Sequence, residues 1–166
     1  EGSGITFVRV EDNANMCGDI RVGLSTGDFG GAGGWANVPY YYQGENNSTA
    51  NDIWIRQQYD PIVYGSVYGP LILIHEIGHA IGLAHTHDNG YRSTAEENTN
   101  IYSVMSYIGW GNFNNDDWID FGYEAGDWFP AYQPMVNDIA AIQHLYGMRP
   151  ISNTGPNTYT RSLKHI

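Results

Sequence analysis

Three histidines and one glutamate are spaced in this chain as the ligands and the base of a metal site would be. The stretch from His75 to His85 reads H-E-x-x-H-x-x-G-x-x-H. On a helix, His75 and His79 lie one turn (about 6 Å) apart on the same face. Both imidazoles can therefore bind one Zn²⁺ at about 2.0–2.1 Å. Glu76 projects from the neighbouring position and can reach a water on the metal without being a ligand itself.

A glycine within the same stretch predicts how a third imidazole reaches the metal. Gly82 can end the helix in a left-handed conformation that other residues resist. The chain then turns, and His85 can return to the ion that His75 and His79 bind. Three neutral imidazoles leave one coordination position open, which is typical of a catalytic zinc site rather than a closed structural one.

The alternative for these histidines is a helix with satisfied core histidines. The full pattern is much rarer than a bare H-E-x-x-H, and it contains three of the six histidines of the chain. Packing alone explains such clustering poorly. We predict that His87, just past the pattern, is a loop residue close to the site, and that His144 is structural. The single cysteine, Cys17, could ligate zinc as a latency switch, but a buried small apolar residue is favoured.

A second motif lies downstream of the histidines. Residues 103–107 read S-V-M-S-Y, and Met105 comes 20 residues after His85. The long zinc motif followed by such a methionine turn is the metzincin signature. Together with residues 138–147, which read D-I-A-A-I-Q-H-L-Y-G, these motifs resemble the serralysin family of secreted bacterial metalloproteases. One departure is Thr86, which stands where serralysins usually carry proline.

The resemblance implies an activity and a role for each site residue. It implies a secreted, zinc-dependent endopeptidase that acts on proteins and peptides, with Glu76 as the general base. Tyr107 would bind zinc in the resting enzyme and then move to stabilise the oxyanion; the alternative is a buried packing tyrosine. Met105 would form an apolar floor below the imidazoles.

The predicted fold class is α+β. The resemblance implies a twisted, mostly parallel sheet with an antiparallel edge strand, an active-site helix and a C-terminal helix. β-branched and alternating residues predict strands at residues 5–10, 19–24 and 52–56, and a short edge strand ending in proline at 35–39.

Two helices are predicted to frame the site. The first has Pro70 at its first position and continues from residue 71 to about 81, with Ile74, Ile77 and Ile81 facing the core. The second closes the domain and ends at Gly147. Its inner face is predicted from residues at helical spacing, namely Met135, Ile139, Ile142 and Tyr146.

Length and charge restrict the class of protein. The 166 residues suit one domain, with residues 1–150 as the protease domain and 151–166 as a tail. Net charge is −11 with seven Lys plus Arg, which argues against binding to nucleic acid or anionic membranes. No run approaches the ~20 apolar residues of a membrane span.

Both ends differ from the pattern of the resembled family. Its first strand and long helix have no counterpart here, so we expect a fragment, or a nicked protein whose N-terminal part is a separate chain that completes the sheet. The tail resembles the start of a calcium-binding β-roll. Residues 87–102 could also bind calcium, although their irregular spacing favours a solvated loop.

Other functions remain open on the sequence alone. The chain could be a non-catalytic zinc module, although Glu76 would have no obvious use there. A protein inhibitor could bind the same cleft. Within the enzyme class, the alternative is a matrixin-like or astacin-like peptidase.

Overall fold

A short mixed sheet and two helices make up the regular structure. The computed structural model describes residues 3–14, 17–27, 30–39, 51–60, 68–88, 94, 97–108, 131 and 133–148. Within them lie strands β1 (Val22–Ser25), β2 (Gly34–Ala36) and β3 (Ile53–Arg56), a 3-10 helix (Gln57–Tyr59), and helices α1 (Tyr68–Ala80) and α2 (Val136–Tyr146). The predicted tail at 151–166 lies outside the described residues.

The sheet has the order β1-β3-β2. β1 runs parallel to β3, whereas β2 runs antiparallel to it and pairs Trp35 with Trp54. The predicted antiparallel edge strand is therefore confirmed, but it covers Gly34–Ala36 rather than residues 35–39 and ends before Pro39. The described part of the sheet is mixed, with one pair of each kind, rather than mostly parallel.

The predicted strand at residues 5–10 is wrong. This segment has no regular structure, and the side chains of Phe7 and Val8 are 68% and 75% exposed. Alternating residues describe a pleated surface, but a strand also needs a neighbouring chain to accept its hydrogen bonds. The described contact at this end lies just before it, where the Gly4 N–H donates to the Gly147 carbonyl at 2.8 Å.

The second predicted strand begins three residues later than residues 19–24 suggested. β1 starts at Val22, after Arg21 has turned its guanidinium toward the buried Asp52. The Arg21 Nε–H donates to the Asp52 carboxylate at 2.9 Å, and the Arg21 carbonyl accepts from the Ile53 N–H at 2.8 Å. This pair fixes the register at which the parallel strands begin.

Helix α1 lies between the sheet and a second apolar cluster. Ile53 and Ile55 of β3 are fully buried, with Ile77 packed beside them. Ile81 packs with Met105 and Ile142 in the second cluster, which Ile74 also contacts. The predicted inner face of α1 is confirmed. The helix begins at Tyr68, so Pro70 lies within the first turn, where its missing N–H removes no intrahelical hydrogen bond.

Helix α2 occupies the predicted residues but presents a different face. Ile142 is buried, and Met135 packs against the same cluster, whereas Ile139 and Tyr146 are exposed. The cause is Asp138, which is buried and lies one turn before Ile142 on the same face. No helix within the described residues is long and apolar enough to span a bilayer.

Candidate metal centre

The three predicted ligands converge in the structure. His75, His79 and His85 each offer one ring nitrogen, and these atoms lie within 4.8 Å of one another. The Nε2 atoms of His79 and His85 are 3.1 Å apart. The ring centroid of His75 lies 4.8 Å from that of His79 and 5.2 Å from that of His85. The sequence prediction therefore names residues that share one small volume.

The end of α1 brings the third imidazole to this volume. Gly82 has φ +104°, the left-handed conformation that glycine adopts without a Cβ penalty. Its N–H donates to the His79 carbonyl at 2.9 Å, and the Leu83 N–H donates to the Gly78 carbonyl at 2.9 Å. These two bonds form a Schellman motif. The chain reverses there, so His85 faces the helix that carries the other two histidines.

Main-chain carbonyls orient the two helical imidazoles. Nδ1 of His75 lies 2.8 Å from the Val104 carbonyl, and Nδ1 of His79 lies 2.8 Å from the Leu83 carbonyl. A carbonyl oxygen only accepts, so each Nδ1 carries the proton. Each Nε2 then keeps its lone pair for a metal, which is the usual arrangement around a zinc-bound histidine.

A carboxylate orients the third imidazole. Nδ1 of His85 lies 3.3 Å from the Asp88 carboxylate, which also accepts the His85 main-chain N–H at 3.1 Å. From the sequence, Asp88 was placed in the 87–102 loop that could bind calcium, with no role at the histidines. Its position three residues after a predicted ligand was a signal that could have identified it.

Burial keeps the three imidazoles neutral. Together with the neighbouring histidines, it lowers the pKa of His75 to about 3 and that of His85 to about 4. The pKa of His79 is also lowered by burial. At neutral pH the rings are therefore in the form that binds metal ions.

Glu76 lies beside the edge strand. Its side chain packs so closely on Gly34 of β2 that a Cβ added there would be 2.9 Å from the Glu76 Cγ and 3.0 Å from Oε1. Burial raises the pKa of Glu76 to about 8. A cation held by the adjacent imidazoles would favour the carboxylate and lower this pKa. The structure thus adds Gly34 to the site, a residue for which no role was predicted from the sequence.

Tyr107 reaches the same volume from the methionine turn. Its hydroxyl lies 2.6 Å from Nε2 of His85, and its ring stacks on that of His75 at 5.5 Å. The side chain is 41% exposed, so it is not the buried packing tyrosine of the alternative interpretation. Burial of the hydroxyl, together with Glu76 and Asp88, raises its pKa to about 12.

Asp138 holds the methionine turn in place. Its carboxylate accepts hydrogen bonds from the Ser103 hydroxyl at 2.6 Å, the Val104 N–H at 2.9 Å and the Met135 N–H at 2.8 Å. Met105 is buried in the cluster above α2. The Val104 carbonyl also binds His75, so Asp138 supports this predicted ligand indirectly, through Val104. Asp138 begins the motif at residues 138–147, but no role was predicted for it.

Other predicted residues lie apart from the three nitrogens or at their margin. Cys17 is exposed, so the prediction of a buried cysteine is wrong. It belongs to neither described cluster of possible ligands, of which the first comprises His75, His79 and His85 and the second His85, His87 and Asp88. The exposed ring of His87 stacks on His85 at 4.9 Å, and His144 is exposed on α2.

The donor set fits zinc. Two nitrogen ligands on one tetrahedral Zn²⁺ lie about 3.3 Å apart, since each bond is about 2.0–2.1 Å. The observed 3.1 Å between His79 and His85 is close to this value. Borderline-soft imidazole nitrogens without carboxylate ligands also favour zinc over calcium or magnesium.

Comparison with known proteins identifies the family. Residues 8–118 match the model of metallopeptidase family M12. The chain belongs to this family. Serralysin A of Dickeya chrysanthemi is 33% identical over 162 residues, covering 95% of this chain and 32% of that protein. The metalloprotease AprA of Pseudomonas entomophila is 40% identical over 100 residues, covering 55% of this chain and 20% of that protein.

These similarities confirm the predicted resemblance: the chain is a serralysin-type metzincin catalytic domain. A third relative, Serralysin C of Dickeya chrysanthemi, is 36% identical over 130 residues, or 72% of this chain and 25% of its own length. The chain thus spans about a third or less of the relatives compared here.

Proposed function

We propose that this serralysin-type domain hydrolyses peptide bonds in proteins as a secreted zinc-dependent endopeptidase. The observation that carries the proposal is the convergence of three neutral imidazoles within 4.8 Å, next to a buried glutamate. In this assignment His75, His79 and His85 hold Zn²⁺. When bound, the ion supplies a Lewis acid that lowers the pKa of water and polarises a carbonyl oxygen.

Glu76 is the proposed general base. Its carboxylate oxygen accepts a proton from the attacking water and then returns it to the leaving amine. A pKa raised by burial suits both steps, because the acid form must give its proton up again near neutral pH.

Tyr107 is proposed to stabilise the transition state. Its raised pKa keeps the hydroxyl protonated when no cation is near, so the group can donate a hydrogen bond to the oxyanion. Its partial exposure leaves room for the ring to turn. The 2.6 Å contact with His85 places the oxygen beside the ligand nitrogens, which supports a second role as an additional zinc ligand.

The substrate is proposed to bind along β2 as an additional antiparallel strand. β2 pairs with β3 and is at the edge of the described sheet. Strand addition supplies main-chain hydrogen bonds, which bind an extended peptide without a strict sequence requirement. Because Gly34 of this strand contacts Glu76, a peptide held here would pass close to the base.

A substitution at Glu76 tests the function. Glu76→Ala should retain one zinc per chain but lose casein hydrolysis by about 100-fold or more, because the general base is removed. The matched control is Glu11→Ala, since Glu11 is an exposed glutamate paired with Arg9. Zinc stoichiometry, intact mass and chelator-sensitive cleavage are measured on each sample. Near-normal turnover of Glu76→Ala would refute the general-base assignment, and a parent with one zinc and no cleavage would refute a peptidase that is active without a further segment.

A non-catalytic zinc module is the second candidate, and one observation favours it. Val22 and Leu24 of β1 point to the same side of the sheet as Ile53 and Ile55, yet they are 57% and 50% exposed. An uncovered sheet face of this kind suits a domain that needs another segment for activity. We propose that a further polypeptide segment, in the same chain or a separate one, covers β1. Cleavage by the 166-residue chain alone would contradict a need for it.

The remaining predictions stay proposals. Residues 1–150 form the protease domain, and 151–166 begin a calcium-binding β-roll. A protein inhibitor is expected to compete for the cleft beside β2. Each follows from the family resemblance rather than from a contact among the described residues.

A further inference from the structure

One side-chain amide links the two segments that end in the site. Oδ1 of Asn98 accepts a hydrogen bond from the Thr86 hydroxyl and another, at 3.0 Å, from the Ser106 hydroxyl. Thr86 directly follows His85, and Ser106 directly precedes Tyr107. A single oxygen atom therefore ties the segment of the third predicted ligand to the segment of the tyrosine.

The turn that carries Asn98 is itself braced. The Asn98 N–H donates to the Thr94 carbonyl at 3.0 Å. The Glu97 carboxylate accepts from both the N–H and the hydroxyl of Thr94, at 3.2 and 3.0 Å, while the Glu97 N–H donates back to the Thr94 hydroxyl oxygen at 3.2 Å. This reciprocal pattern is that of a capping box. These hydrogen bonds restrain the main chain that carries the Asn98 amide oxygen.

Hydrogen bonds on the other side of Tyr107 continue the same link. The Ser106 hydroxyl oxygen accepts the Ile108 N–H at 3.1 Å, and the Ile108 carbonyl accepts the Asn100 N–H at 2.8 Å. The main chain on both sides of Tyr107 is therefore attached to the segment around Asn98. The backbone of the tyrosine is held, while its ring remains partly exposed.

We propose that Asn98 is a positioning residue that sets the separation of His85 and Tyr107 through Thr86 and Ser106. The hydroxyl of Thr86 supplies a tie that a proline at this position could not make. Serralysins usually carry proline at this position. In this chain, the hydrogen bond from Thr86 to Asn98 takes the place of the restraint that a proline ring imposes on the backbone. The effect on turnover rests on the peptidase function proposed above, whereas the effect on metal ligation does not.

The first test replaces the hydroxyl at Thr86. Thr86→Val keeps the shape and loses the donor, and Thr86→Ser keeps the donor as the matched control. One lost hydrogen bond should lower kcat/KM of Thr86→Val about five- to tenfold, while Thr86→Ser stays within about twofold. In a Tyr107→Phe background, the effect of Thr86→Val should shrink to less than about twofold, because the group it positions is gone.

The second test reads tyrosine ligation without any turnover. The protein is loaded with one Cu²⁺, and the visible phenolate-to-copper charge-transfer band is recorded at equal loading. We expect the band in the parent and in Thr86→Ser, a weaker band in Thr86→Val and in Ser106→Ala, and none in Tyr107→Phe.

The outcomes separate the two proposals. An unchanged band in Thr86→Val and Ser106→Ala, or a loss of kcat/KM in Thr86→Val that is equally large in the Tyr107→Phe background, would overturn the positioning role. A weakened band in a protein that cleaves no substrate would support the positioning role and refute a peptidase that is active without a further segment.

Discussion

At the scale of single residues, each imidazole of the site is oriented by the group that its Nδ1 atom contacts. His75 and His79 bind main-chain carbonyls, which no side-chain substitution removes directly. His85 depends instead on the Asp88 side chain. The third imidazole is therefore the one whose orientation a single substitution can change.

Asp88→Asn should weaken zinc binding by about tenfold, because the neutral amide is a poorer acceptor for the Nδ1–H of His85. The dissociation constant is measured by competition with a chromophoric chelator. Asp19→Asn serves as the control, since Asp19 is an exposed carboxylate outside both described ligand clusters. A change of less than twofold for Asp88→Asn would show that the carboxylate does not orient the ring.

At the scale of elements, one close contact in the site joins β2 to α1. The Glu76 side chain occupies the space that a Cβ on Gly34 would need, and Ile72 of α1 also lies within 2.7 Å of that position. This one contact therefore fixes the position of the edge strand relative to the proposed base. A side chain on either element affects the other.

Gly34→Ala should lower kcat by about tenfold or more while zinc stoichiometry stays at one, because a displaced base loses reach that proton transfer requires. Gly18→Ala is the matched control, since its added Cβ would meet its neighbours no closer than 3.4 Å. Steady-state kinetics and metal analysis are run on both variants. Wild-type kcat in Gly34→Ala would mean that the base tolerates the shift.

The sequence predicted the structure best where the geometry depends on residues that are close together in the chain. The pattern from His75 to His85 predicted which imidazoles converge, because helical spacing and one glycine determine their geometry. It could not predict the Val104 carbonyl, which lies 29 residues from His75 and is brought there by tertiary packing. The strand predicted at residues 5–10 failed for a related reason, since pairing depends on a neighbour that the pattern does not contain.

At the scale of the whole molecule, buried ionisable groups give the zinc-free fold two opposite responses to pH. His75 and His85 have folded pKa values of about 3 and 4, below the value of 6.5 for an unfolded histidine. Their contribution to stability is present above pH 6.5 and is lost as pH falls toward 3. Glu76, with a folded pKa of about 8 against 4.5 unfolded, contributes below pH 4.5 and loses this contribution as pH rises through 8.

The free energy of unfolding of the zinc-free protein should therefore be greatest near pH 6.5. Urea denaturation between pH 5 and 8.5 measures it. In Glu76→Gln the decline on the alkaline side should become smaller, because the group that ionises there is absent, while the decline on the acid side remains. A parent whose stability rises steadily from pH 6.5 to 8.5 would contradict the assignment to Glu76.

The Schellman motif at the end of α1 gives the site one further property. The Leu83 N–H closes the helix, and the Leu83 carbonyl orients His79, while His85 follows two residues later. Fraying of this one turn would thus release two of the three imidazoles together. A metal ion bound by these imidazoles would also hold the end of the helix in place. Its binding and its release should therefore each occur in a single step rather than one ligand at a time.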